Sequence, residues 1–222
     1  MSVTIPFPDR VQAGRALAER LAQEGAWNDA LVLALPRGGV PVGYEVAQRL
    51  GLELDILVVR KLGTPGNREL AMGAIASGGV RVMNEDIVRY IHVTRAEIDG
   101  TIAQETHELQ RREQAYRGER PRPVVEGRAV ILVDDGLATG ATMRAAVQAV
   151  RKLGAGSITV AVPVAAPESV AQLERMAERV VCLHMPHDLY AIGRWYVNFD
   201  QTSDQQVVEL LQRAWTRKGQ PV

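Results

Sequence analysis

Two carboxylates stand side by side at the end of an apolar run: Asp134 and Asp135 follow Ala129 to Val133. A run this short and this rich in β-branched residues reads as a buried strand. Behind the acids comes Gly136-Leu-Ala-Thr-Gly-Ala-Thr142, and then a helical pattern with Met143, Ala146, Val147, Val150 and Leu153 on one side. A loop of Gly, Ala and Thr leaves backbone N–H groups uncovered, and the helix behind it adds partial positive charge at its N-terminus. Together they form a phosphate cradle, to which the hydroxyls of Thr139 and Thr142 can contribute. Adjacent carboxylates would repel that phosphate and need another partner, such as a diol, a metal or both. A sugar diol next to a phosphate, with magnesium, satisfies every part. A bare strand–turn–helix corner needs no acidic pair.

At these residues the sequence resembles the type I phosphoribosyltransferases, which bind phosphoribosyl pyrophosphate (PRPP). Hydrophobic strand, Asp-Asp, Ala-Thr-Gly-x-Thr and helix follow in that family's order. The resemblance implies that Ala138, Thr139, Gly140, Ala141 and Thr142 hold the 5′-phosphate, while Asp134 and Asp135 face the ribose hydroxyls, directly or through Mg2+. Arg37-Gly-Gly-Val-Pro41 follows the strand Leu31 to Leu35 and resembles the family's pyrophosphate loop. Two glycines permit close approach to a ligand, and arginine presents a fixed fork of donors. Arg37, Gly38 and Gly39 are therefore expected at the leaving pyrophosphate. Arg60 and Lys61 end a strand read over Leu54 to Val59 and resemble the Arg-Lys pair of the adenine and orotate branches. Lys61 is the stronger candidate for catalysis and Arg60 for PRPP binding.

Residues 62–79 read as a long glycine-rich loop or hairpin. In the family a mobile flap lies here, from which Arg68 and Glu69 could act. Segment 184–202 is aromatic-rich and irregular. In the family such a segment forms, with the N-terminus, a hood that selects the acceptor, and Tyr190, Trp195 and Tyr196 are its candidates. His184, His187 and Asp188 are a weak zinc signal.

The elements that must position these groups alternate along the chain. Helices are expected from Asp9 to Glu24, up to Leu50 before Gly51, from Asn84 to Tyr90, and from a capping box at Thr94 to Arg117. Others follow after the phosphate loop, from Pro167 to Arg179, and from Ser203 to Thr216. Strands are expected at Val80 to Met83, Ser157 to Val162 and Val180 to Leu183. Alternation of this kind gives an α/β fold, a parallel sheet with helices on both faces. The 94–117 helix is polar, with Ile98, Ile102 and Leu109 as its apolar stripe, and reads as a surface brace or part of a homodimer contact.

The 222 residues suit one domain, 1–222. Lys+Arg and Asp+Glu are both 26, so no basic field is available for nucleic acid. Cys182 is the single cysteine, which excludes an internal disulfide and reads as a buried thiol. The N-terminus lacks a secretory pattern, and no stretch approaches the roughly 18 apolar residues of a membrane span. A cytoplasmic location is expected. Gly-x-x-x-x-Gly-Lys-Ser/Thr is absent, as is Gly-x-Gly-x-x-Gly after a strand, which argues against a P-loop NTPase and a dinucleotide enzyme.

The resemblance runs from about Arg10 to Leu211 and is nearest to a subgroup of predicted phosphoribosyltransferases of unassigned acceptor. It implies Mg2+-dependent transfer from PRPP to a nitrogen acceptor of small-molecule type, a nucleobase foremost. A non-catalytic PRPP- or nucleotide-binding regulator of the same fold is the alternative. Two departures stand out. Ala138 occupies the place where the hypoxanthine–guanine branch has an Asp able to take a proton from the base. Gly136 stands where most members carry an apolar residue.

Overall fold

The computed structural model describes residues 5–90 and 93–218, without the side chains of residues 68, 69, 217 and 218. Arg68 and Glu69, expected on the flap, therefore lie outside the described side chains.

Five strands form a parallel sheet: β1 (Leu31–Ala34), β2 (Glu53–Ile56), β6 (Ala129–Val133), β7 (Ser157–Val164) and β8 (Arg179–His184). Their order is β2-β1-β6-β7-β8. Both faces are apolar because alternate residues point oppositely. Val32, Ala34, Ile131 and Val133 face a core shared with α1 (Arg10–Gln23) and α2 (Gly39–Leu50). Leu31, Leu33, Val130 and Leu132 face the core under α5 (Ala141–Lys152). This is the expected α/β sheet with helices on both faces. The chain runs from β1 outward to β2, and β6 then begins on β1's other side. Such a switch point opens a crevice at the carboxyl ends of the two strands, the usual ligand position in open α/β sheets.

The strand read over Leu54 to Val59 is two strands. β2 stops at Ile56, and β3 (Val59–Thr64) belongs to a separate antiparallel sheet with β4 (Asn67–Ala76) and β5 (Val80–Met83), ordered β3-β4-β5. The break is held from far away: the Val58 N–H donates to Ser77 Oγ, and the Ser77 N–H donates to the Val58 carbonyl. Most of residues 62–79 thus form a hairpin arm.

α3 (Glu85–Tyr90) follows, and then α4 (Arg95–Arg117), whose Thr94–Glu97 capping box is formed. The α4 stripe is wider than Ile98, Ile102 and Leu109, for Tyr116, Glu113 and Arg117 are buried as well. Arg117 Nη2 lies 2.7 Å from Asp55 Oδ1, and Arg117 Nη1 lies 3.2 Å from Glu113 Oε1. The outer oxygen of Glu113 takes Arg122 at 2.6 Å. Buried charge survives here because each ion is paired. α6 (Pro167–Leu173) is shorter than the expected helix through Arg179. The chain turns after Leu173 so that the Glu178 carboxylate can accept the Ile158 N–H and bind Arg151. α7 (Asp204–Lys218) seats Val207 and Leu211 in the core, and Trp215 Nε1 donates to the Leu54 carbonyl. Among the described residues no helix is long and apolar enough to cross a membrane.

Candidate active site

Two loops meet at the switch point. The first, residues 35–39, leaves β1. The Leu35 N–H donates to the Val133 carbonyl at 2.9 Å, which ties the loop to the end of β6. The Pro36–Arg37 peptide is cis. A Cβ on Gly38 would collide with Asp135 Oδ2, and one on Gly39 would lie 2.7 Å from the Val133 carbonyl oxygen. The two glycines are thus required by close approach: they let the Arg37 loop rest directly on the acidic pair.

The second loop leaves β6. Asp134 Oδ1 accepts the Asp135 N–H at 2.8 Å. Burial, and then the neighbouring charge of Asp135, pushes the Asp134 carboxyl well above the usual carboxylate range. Burial also raises Asp135, against the opposing pull of Arg10. Arg10 is the residue that pattern reading missed. It begins α1, and its Nε donates to Asp135 Oδ2 at 2.8 Å. A lone arginine at a helix start carries no sequence signal of such a role.

Beyond the acids, Leu137 is locked to β7: its N–H donates to the Val164 carbonyl and its own carbonyl accepts from Ala166. Gly140 takes φ 66°, the left-handed region that favours glycine, and initiates α5. Ser169 Oγ donates to the Ala138 carbonyl, and Arg144 Nη1 donates to the Thr139 carbonyl, both at 2.7 Å. The loop's carbonyls are therefore turned away and held. Among the described residues nothing accepts from the N–H groups of Ala138, Thr139 or Gly140. Ala138, Thr139, Ala141 and Thr142 are exposed. N–H groups left without an acceptor at a helix N-terminus are the makings of an anion site.

Gly136 has a different reason to be small. A Cβ there would lie 2.7 Å from Ile192 Cγ2 and 3.0 Å from Val164 Cγ1. Ile192, from the 184–202 segment, fills the space that an apolar residue at 136 would take. That segment is fastened to the N-terminus: the Phe7 N–H donates to the Trp195 carbonyl, and Val197 and Asn198 donate to Phe7 and Pro8.

The three aromatic candidates separate. Tyr196 is buried, its hydroxyl donating to the Asp135 carbonyl at 2.6 Å, so its ring is packed inward rather than presented to an acceptor. Trp195 packs on His184, with ring centroids 4.7 Å apart. Tyr190 is 80% exposed.

Arg37 Nη1 lies 3.7 Å from Asp204 Oδ1, at the start of α7, and the same oxygen accepts from Tyr116 Oη at 2.7 Å. Burial, with the Asp204 charge, pushes the Tyr116 phenol up to about 12. Arg60 and Lys61 do not sit at the end of a parallel strand. They lie inside β3, because the chain leaves the main sheet before reaching them. Arg60 pairs with Glu105 of α4 at 2.7 Å. Lys61 is exposed and lines two hollows, one of about 440 Å³ that also touches Ala141 and Thr142, and one of about 610 Å³ against α4.

The phosphoribosyl transferase domain family matches residues 7–193. A Mycobacterium tuberculosis protein named as a putative phosphoribosyl transferase, found in strains CDC 1551 and H37Rv, is 50% identical over 208 residues. That similarity covers 94% of this chain and 47% of the relative, so the chain spans about half the length of the curated relatives it matches. The crystal structure of TT1426 from Thermus thermophilus is similar over 93% of this chain and 98% of that one, at a TM-score of 0.83 and 43% identity. With that match over most of its length, and with the two loops it brings together, the chain belongs to the phosphoribosyl transferase domain family.

Proposed function

We propose that the chain transfers the phosphoribosyl group of PRPP to a nitrogen acceptor, with release of pyrophosphate. What supports this most is the convergence at one switch point of a loop with N–H groups that lack acceptors among the described residues, an acidic pair and an arginine-bearing glycine loop. In this reading a nitrogen lone pair attacks C1 of the ribose as the C1–O bond to pyrophosphate breaks. The transition state is oxocarbenium-like, as in glycoside cleavage, so the protein's work is to hold the sugar and receive the leaving charge.

Residues 138–142 bind the 5′-phosphate. Asp134 and Asp135 accept from the ribose hydroxyls. Arg37 leaves Asp204 for the pyrophosphate, and Lys61 reaches it from the arm. Tyr190 is the exposed aromatic offered to a flat acceptor such as a nucleobase.

Magnesium fits these residues in one manner. Among the described residues no group of three His, Cys, Asp or Glu side chains could hold an ion. The acidic pair has one oxygen engaged by Arg10 and another by the Asp135 N–H. That leaves too few ligands for a protein cage but enough for Mg2+, which keeps its waters and takes substrate oxygens beside one or two carboxylates. Bound there, it would neutralise pyrophosphate charge.

The test is calorimetric titration of the whole chain with PRPP, with and without Mg2+, and then with nucleobases present. Mg2+-dependent binding tightened by a base supports transfer to that base. Binding indifferent to every acceptor tried supports the regulatory alternative. Absence of PRPP binding refutes transfer and a PRPP-binding regulator, and leaves a nucleotide-binding regulator to be decided by titration with nucleotides.

A further inference from the structure

We infer that Arg10 is a positioning residue for the acidic pair and that it couples the 184–202 segment to it; the inference deepens the phosphoribosyl-transfer reading and rests on it. Arg10 is 125 positions from Asp135 in sequence, and three contacts fix its guanidinium. Nε donates to Asp135 Oδ2 at 2.8 Å, Nη1 donates to the Asp200 carbonyl at 2.7 Å, and Cζ stands 3.9 Å from the centre of the Phe199 ring. The side chain is 12% exposed. Only a planar fork can donate in two directions while stacking by its face, and a lysine ammonium cannot.

Asp135 is held from a second side by the same segment, through the Tyr196 hydroxyl on its carbonyl. Phe199 and Tyr196 pack on each other, with ring centroids 4.9 Å apart. Residues 196–200 therefore grip Asp135 twice, by its main chain directly and by its side chain through Arg10. Gly38 abuts the same carboxylate and leaves it no room to swing toward the Arg37 loop. An acceptor that shifts 196–200 must shift Asp135 with it, so occupation under that segment is felt at the ribose. This arrangement does more than hold the fold, because the fold already ties Phe7 to Val197 by backbone hydrogen bonds that do not involve Arg10.

The test uses the whole chain with Arg10→Lys, Arg10→Ala and Phe199→Leu. Binding of Mg2+–PRPP is read by calorimetry and backbone hydrogen exchange by mass spectrometry. Arg10→Lys should weaken PRPP about tenfold or more, and Phe199→Leu, which keeps apolar bulk but removes the stacking face, by a few-fold. Ethylguanidinium added to Arg10→Ala should restore part of the affinity. Exchange should quicken together in residues 195–200 and 134–140 of Arg10→Lys.

Wild-type affinity in Arg10→Lys, or exchange that quickens only at the start of α1, would overturn the inference. If the arginine variants do not fold, Phe199→Leu decides alone: affinity equal to wild type overturns the proposal. If the wild-type chain does not bind PRPP, the transferase reading fails. The coupling is then judged by whether the two segments exchange together in Arg10→Lys.

Discussion

Replacing Gly136 by alanine adds one methyl group at the place where the 184–202 segment meets the acidic loop. That methyl would sit 2.7 and 2.9 Å from Ile192 Cγ2 and Cδ1, and 3.0 Å from Val164 Cγ1. Carbon atoms prefer about 3.5–4.0 Å, so all three contacts are too short by about 0.5–1 Å. Val164 is fully buried and cannot yield, whereas Ile192 is half-buried and can move outward. Overpacking of this kind costs about 1–3 kcal/mol. Alanine returns up to about 1 kcal/mol by restricting the unfolded chain, since the backbone at 136 does not need a positive φ. The net loss should be about 0–3 kcal/mol, or up to about 12 °C in Tm for a chain of this size.

The partner substitution sharpens the test. Ile192→Ala removes the atoms that collide, so the double variant should be more stable than the sum of the single effects allows, by about 0.5–3 kcal/mol of coupling. Urea unfolding of the four proteins measures this directly. Strict additivity would refute the view that Ile192 occupies the place of the missing side chain.

Other substitutions probe separate parts of the molecule. Arg37→Ala should weaken PRPP more than ribose 5-phosphate, because only PRPP carries the pyrophosphate assigned to Arg37; equal losses by calorimetry would remove it from that role. Asp55→Asn removes the charge facing Arg117 but keeps an oxygen that can accept from it, and Glu113 still pairs with it, so the variant should lose about 1–3 kcal/mol in urea unfolding. The Cys182 thiol is pushed up to about 11 by burial, so it is almost wholly protonated at pH 8. Alkylation of the folded protein should be slow there and accelerate toward pH 11, and fast labelling at pH 8 would contradict the packing around β8.

What the sequence disclosed and what it concealed divide along the range of the forces involved. The strand, acidic pair, small-residue loop and helix from Ala129 to Lys152 were legible because they are consecutive, and each has a local reason to be there. The helix caps at Asp9, Thr94 and Ser203 were legible for the same cause. The break after Ile56 was not, because Ile56 to Val59 is an unbroken apolar run and the residue that takes up the Val58 N–H, Ser77, lies 19 positions beyond it. That misreading carried Arg60 and Lys61 to the wrong sheet. Burial of Glu113 and Arg117 was hidden because a charged residue reads as solvated until its partners, here Asp55 and Arg122, are brought in from other elements. Tyr196 and Arg10 belong together in this respect. Each is ordinary in its own stretch, and only the closure of residues 196–200 over α1 puts both on Asp135.

The role of the acidic pair in holding PRPP is open to one decisive titration: PRPP into the wild-type chain and into the Asp134→Asn/Asp135→Asn double variant, by calorimetry, with Mg2+ present and absent. Binding to the wild type should depend on Mg2+ and fall sharply in the double variant, whose amides keep the shape of the carboxylates without their charge. PRPP binding that is unchanged by the two substitutions, or no binding by the wild-type chain at all, would overturn the assignment.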